Sequence, residues 1–140
     1  MKSLSKVILA IFCLLLVSCV KYGSRENGRL IRQVQFLAEQ MPDSALILLD
    51  AVDTFKLKKT EKADYVLLRV QARSNAGMDI STDVDIFDTR KYHILENNPE
   101  KAALSCFYSG LVSTYRNNAT DAMGYYHVRH SGLGKILHQQ

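Results

Sequence analysis

The chain has 140 residues, 47% of them hydrophobic, a formal charge of +4 and no tryptophan. That length suits one small domain able to bury about two-thirds of its unfolded surface. The modest charge, with no dense basic patch interleaved with aromatics, excludes a nucleic-acid reading and leaves nucleic acid out of the expected partners.

At the N-terminus, Lys2 and Lys6 belong to a head without acids, and Val7 to Val17 is an apolar run of eleven residues. A bilayer-spanning helix needs about 20, so the run is too short to cross and fits the core of a secretory signal. It ends on Leu16, Val17, Ser18 and Cys19. These four positions resemble the lipobox of bacterial lipoproteins, in which the chain is cut before the cysteine and the cysteine carries lipid such as palmitate. The resemblance implies a signal peptide over 1–18 and an acylated Cys19 on a short tether over 19–26. It also implies a place in the bacterial cell envelope, lipid-anchored to a membrane, the outer membrane being the expected one. The alternative is an uncleaved anchor or a buried helix. Loss of Lys2 and Lys6 would take the charge from +4 to +2. Of the three cysteines, Cys13 would leave with the signal and Cys19 would be acylated. Cys106 would then stand alone, a small apolar residue inside a helix.

Beyond the tether, apolar residues repeat at three and four, which predicts six helices and an all-α fold. The first is expected over Asn27–Gln40, with Leu30, Val34, Leu37 and Met41 in one stripe beside Ile31 and Ala38, stopped by Pro42. The second starts at Asp43 or Ser44, either able to cap it, and buries Ala45, Leu48, Leu49 and Val52, widened by Leu46. As the most apolar helix it is expected to lie centrally. A loop follows with the basic cluster Lys56, Lys58, Lys59 and Lys62, read as a solvated loop and helix start. The third helix runs from Thr60 to Ser74 on Ala63, Val66, Leu67 and Val70, and Gly77 suits its left-handed stop. The fourth is expected over Thr82–Glu96, with Thr82 and Asp85 as a weak capping box and Val84, Phe87, Ile94 and Leu95 apolar. Asn98-Pro99 reads as a cap with proline in the first helical position. The fifth helix then reaches Arg116 with Ala103, Phe107, Gly110, Leu111 and Thr114 on one side. Asn117-Asn118 turns the chain into the sixth, which starts near Ala119, and Gly132 and Gly134 loosen the tail.

Short connections make antiparallel hairpins, and three hairpins are about the minimum for a helical-repeat stack. Gly110, Ala122 twelve positions later and Tyr126 four beyond that resemble one tetratricopeptide repeat. There small residues let two helices approach and an aromatic fills the groove. Pro42-Asp43-Ser44-Ala45-Leu46 similarly resembles the second helix of a degenerate repeat in bacterial lipoproteins. Cys106, Ser113 and Arg129 depart from the repeat pattern. The resemblance implies antiparallel hairpins stacked as a short tetratricopeptide-like α-solenoid over 27–140, ending in a frayed tail. It further implies a scaffold that holds a protein or peptide partner. Two rivals are a glycan-binding surface lipoprotein and a shortened sensor half of a signalling regulator.

Candidate chemistry is sparse. His127 and His130 could share a face, with His138 and Asp121 nearby, but surface histidines at a helix end are the expected reading. Asp83-Val84-Asp85 begins like a calcium loop, yet Phe87 and Asp88 occupy the positions that a third ligand and a glycine require. No base and orienting group are spaced around Cys106, and no glycine-rich phosphate loop is present. The expectation is therefore no enzyme, no metal and no cofactor. Tyr108, Tyr115 and Tyr125 are the candidate partner surface, because tyrosine is enriched where proteins bind.

Overall fold

The structure, a computed structural model, describes residues 25–130. The expected signal peptide, Cys19 and most of the expected tether lie outside the described residues, as do Gly132, Gly134 and His138. Among the described residues every regular element is helical. Helix α1 covers residues 25–37, so positions 25 and 26, expected in the tether, are already helical. It is followed by α2 (Pro42–Asp50), a 3-10 turn (Thr54–Lys56), α3 (Lys59–Asn75), α4 (Ile86–Leu95), α5 (Pro99–Tyr115) and α6 (Ala119–His130).

The starts and stops have identifiable causes. The first helix stops at residue 37, before the end expected at Gln40, and Pro42 sits in the first turn of α2, where its missing N–H costs nothing. The expected cap at Asp43 or Ser44 is thus replaced by Met41 with no side-chain bond. Asn98 caps α5 by accepting from the Lys101 amide at 3.1 Å. At the head of α6, the Asn118 side chain accepts from the Asp121 amide and donates to the Asp121 carboxylate. Gly77, Asn97 and Asn117 have φ of 71°, 57° and 58° and end α3, α4 and α5. At each stop one amide reaches back three residues and the next reaches back five, as from Gly77 to Ser74 and from Met78 to Arg73. This pairing satisfies the last carbonyls of the helix and reverses the chain within a few residues.

Long-range bonds set the directions. The Thr60 and Tyr92 hydroxyls meet at 2.8 Å, bringing the start of α3 beside the end of α4. The Arg116 guanidinium donates to the Ser81 carbonyl, bringing the end of α5 beside the α3–α4 connection. Asn75 donates to the Ala38 carbonyl, and Lys101 reaches Asp64. Hence α1, α3 and α5 run in one direction and the even helices run back between them.

Helix α3, not the more apolar α2, is central. One core joins Ile31, Val34, Ala45 and Leu49 to Leu68 and Ala72. A second joins Val66, Val70, Ile80 and Ile86 to Tyr108 and Val112. A helix that buries two faces takes the middle place, while α2 buries only Ala45 and Leu49. Met41, expected in the stripe of α1, is 54% exposed.

The fourth and fifth helices depart most from expectation. Residues 82–85 lie in the turns before α4, which begins only at Ile86. Val84 and Leu95 face solvent, whereas Ile86, Thr89 and His93 are buried. Helix α5 buries Ala102, Ser105, Cys106, Ser109, Val112 and Ser113, while Ala103, Phe107 and Leu111 are half-buried and Thr114 is exposed. A serine can be buried when its hydroxyl is satisfied locally. Ser105 donates to the Lys101 carbonyl one turn back at 2.7 Å. Such a narrow face lets neighbouring helices approach closely.

The acidic stretch 79–88 is tied down by cations. Asp83 is 4% exposed and lies 3.3 Å from Arg69 Nη2 and 3.1 Å from Arg73 Nε. Arg73 also donates to the Asp79 carbonyl at 2.7 Å. Asp85 faces Arg69 at 3.8 Å, and Asp88 pairs with Lys91 at 3.0 Å. The Ser81 amide donates to Asp79 and holds its carboxyl below the usual range.

Candidate functional site

Because α1, α3 and α5 run side by side, their exposed flanks form a groove of about 360 Å³. Phe36 and Glu39 contribute from the α1 end, Leu67 and Gln71 from α3, Lys101 and Leu104 from α5. A second hollow of about 360 Å³ continues it along α5 through Glu39, Glu100, Leu104 and Phe107. Gln71 donates to Glu39 at 3.2 Å across the gap between α1 and α3. Phe36 stands at the edge with 75% of its surface exposed. The groove therefore mixes Leu67, Leu68 and Leu104 with polar side chains, and its acids are Glu39, Asp64 and Glu100 against the single cation Lys101.

One wall is electrostatically organised. Lys101 Nζ lies 2.6 Å from Asp64 Oδ1, and His93 Nε2 approaches the same oxygen at 3.8 Å from the protein side. That distance is too long for a hydrogen bond, and His93 Nε2 is buried without a hydrogen-bond partner among the described residues. Burial holds His93 below its ordinary pKa; Asp64 opposes this and Lys101 adds to it. Tyr108 lies beneath the groove, and burial, with Glu39 nearby, pushes its hydroxyl up to about 12. Of these contacts, only that of Lys101 with Asp64 is a hydrogen bond.

The tyrosines expected at a partner surface separate. Tyr108 is 4% exposed inside the second core, so the expectation of an outward side chain there is corrected. The residue points toward α3 because α5 turns its Ser105–Tyr108–Val112 side to the core. Tyr125 is half-buried, stacked on Phe87 at 5.6 Å between ring centres, with the Arg90 guanidinium 5.0 Å away. Tyr115 is 46% exposed at the far end of α5. None of the three lines the groove.

Gly110, Ala122 and Tyr126 do come together at the α5–α6 junction. Ala122 is buried. A Cβ placed on Gly110 would sit 2.5 Å from Tyr126 Cε1, closer than atoms can approach. The Tyr126 ring thus lies against the glycine, its hydroxyl 3.4 Å from that of Thr114.

Among the described residues no group of three or more His, Cys, Asp or Glu could hold a metal ion. His127 is exposed, and Asp121 is engaged in the α6 cap. Cys106 is buried; burial raises its thiol pKa, with Arg90 opposing. Cys19 lies outside the described residues.

Periodicity does not reveal the groove residues, because it seeks the buried stripe. One signal in the sequence does point to them: Phe36 is a large apolar residue off the stripe of its helix, while Leu104 shares the stripe of Phe107 and Leu111. No helix among the described residues is long and apolar enough to cross a membrane. Compared with protein-family models, curated proteins and solved structures, the chain matches none.

Proposed function

We propose that this chain is a membrane-anchored lipoprotein whose hairpins stack as a short tetratricopeptide-like solenoid and hold a protein or peptide partner. The groove along α1, α3 and α5 carries the reading. It is concave, lies on parallel helices, and combines Phe36 and Leu104 with an acidic rim. A preformed groove binds an extended segment or a partner helix without much ordering of its own side chains, as concave repeat surfaces do. The acidic rim on a chain of +4 favours a partner segment that alternates apolar and cationic side chains. The lipobox-like Leu16–Cys19 supports the anchor.

Two measurements test the two halves. Mass spectrometry of the chain from its own membrane should find an acylated Cys19 at the N-terminus; an unmodified cysteine ends the lipoprotein reading. Photo-cross-linking from Gln35 and Leu104 should capture one protein repeatedly, whereas cross-linking from Met123, exposed on α6, should not. Equal capture from all three positions would remove the groove as the binding surface.

A further inference from the structure

The connection between α2 and α3 has a shape that the scaffold reading does not use. Phe55 sits at the tip of the 3-10 turn with 100% of its surface exposed. The turn beneath it is built. Asp53 caps it by accepting from the Phe55 amide at 3.2 Å. Asn27 of α1 clamps the same residue from both sides, donating to the Asp53 carbonyl at 3.0 Å and accepting from its amide at 3.2 Å. Leu57 packs back against the first core. The turn is thus held from below while its aromatic ring is presented to solvent, an arrangement that burial inside this chain does not explain.

Cations gather in the chain after the ring and on α1. Lys56, Lys58, Lys59 and Lys62 follow it within two turns of chain, and Arg25 and Arg32 lie on α1. Lys56 pairs with Asp53 at 2.9 Å, and Lys59 lies over the Tyr92 ring. Arg25, Arg32 and Lys58 border one shallow hollow, with Glu26 and Glu61 as its acids. This is also the end of the molecule at which the described chain begins. Arg25 is six residues after Cys19, a span of at most about 22 Å when extended.

We infer that this end of the molecule is a membrane-docking face, with Phe55 entering the headgroup layer and these lysines and arginines held against anionic phospholipid. The inference rests on the anchored reading of the N-terminus. Charge complementarity selects an anionic lipid surface, because cations close to such a surface each add to binding and the effect is screened by salt. The exposed aromatic adds the apolar half of an interfacial contact, since aromatic rings settle where an apolar body can be buried beside polar headgroups. Docking here would stand the helices on the bilayer and orient the groove relative to it.

The absence of tryptophan makes the test direct. Phe55→Trp places a single fluorophore at the tip, and Met78→Trp places one in the α3–α4 connection, at the opposite end of α3. Each full chain is purified from its membrane and reconstituted into vesicles of phosphatidylcholine alone or mixed with phosphatidylglycerol. Flotation and the mass of Cys19 report anchoring separately from the fluorescence. On the mixed vesicles the indole at position 55 should shift to shorter wavelength and be quenched by brominated acyl chains, while the indole at position 78 should not. Adding Lys58→Glu and Lys62→Glu, both exposed, should abolish the shift while helical content stays unchanged. A floating, folded Phe55→Trp chain whose emission stays at the solvent wavelength on mixed vesicles overturns the docking face and leaves the anchor intact. Equal insertion into phosphatidylcholine alone overturns the charge selection. A chain without lipid that fails to float defeats the anchored reading instead.

Discussion

A methyl group on Gly110 would meet the Tyr126 ring at 2.5 Å, so the ring must move or α6 must lift from α5. Overpacking of this kind costs about 1–3 kcal/mol, against a helix-propensity gain of about 1 kcal/mol for replacing glycine. Gly110→Ala should therefore lower the melting temperature by a few degrees. In a Tyr126→Ala background the same substitution should become neutral or stabilising. The double-mutant cycle checks this, and equal effects in both backgrounds would remove the contact from the account. His93 gives a second residue-scale prediction. Its folded pKa lies below the unfolded value of about 6.5. Between the two values the unfolded chain binds the extra proton, so stability rises with pH there and is lost as pH falls below about 6.5. Thermal melts from about pH 7.5 down to about pH 5 should show this decline, and His93→Gln should flatten it.

Asp83 acts on the scale of elements, because it holds the α3–α4 connection to α3 through Arg69 and Arg73. Removing the acid from a buried cluster leaves two guanidinium groups, 29% and 30% exposed, without that partner. The cost of breaking such a cluster is about 3 kcal/mol, because desolvated charge is left uncompensated. Asp83→Ala should therefore reduce the free energy of unfolding in urea by roughly that amount. Amide exchange should rise first in residues 79–85, where the connection loses its tether. A uniform increase across α1 and α2 would show instead that the cluster supports the whole molecule.

For the whole molecule, the parallel course of α1, α3 and α5 creates the proposed partner groove, and its rim can be changed without touching the core. Glu39 and Glu100 are exposed. Substitutions at such sites shift stability by only about 0.5 kcal/mol. The double variant Glu39→Gln and Glu100→Gln keeps an acceptor oxygen for Gln71, so it should keep its melting temperature and lose the cross-linked partner. Retained capture would show that the rim charges play no part in recognition. The docking face and the groove draw on different residues, so variants of one should leave the other intact.

Local chemistry makes much of the fold legible. Asn98-Pro99 announces the start of α5, and Gly77 and Asn117 mark stops, because these residues satisfy the backbone where a helix begins or ends. The small–small–aromatic spacing of Gly110, Ala122 and Tyr126 anticipates a junction where the glycine and the ring touch. Apolar spacing alone identifies most of the faces that α1 and α3 bury. It misreads α4 and α5, whose inward residues include Thr89, His93, Ser105 and Ser113. Ser105 becomes core by turning its hydroxyl back on its own helix, and no periodicity of apolar residues records that. Asp83 reads in the sequence only as the start of a failed calcium-loop pattern, and α3 brings two arginines to it. The stops at Gly77 and Asn117, the start of α5 and the α5–α6 contact thus follow from residue order, because each depends on neighbours within a few turns of chain. The central place of α3, the burial of Tyr108, and the groove shared by Phe36, Glu39, Lys101 and Leu104 come from packing, because they depend on which helices lie side by side.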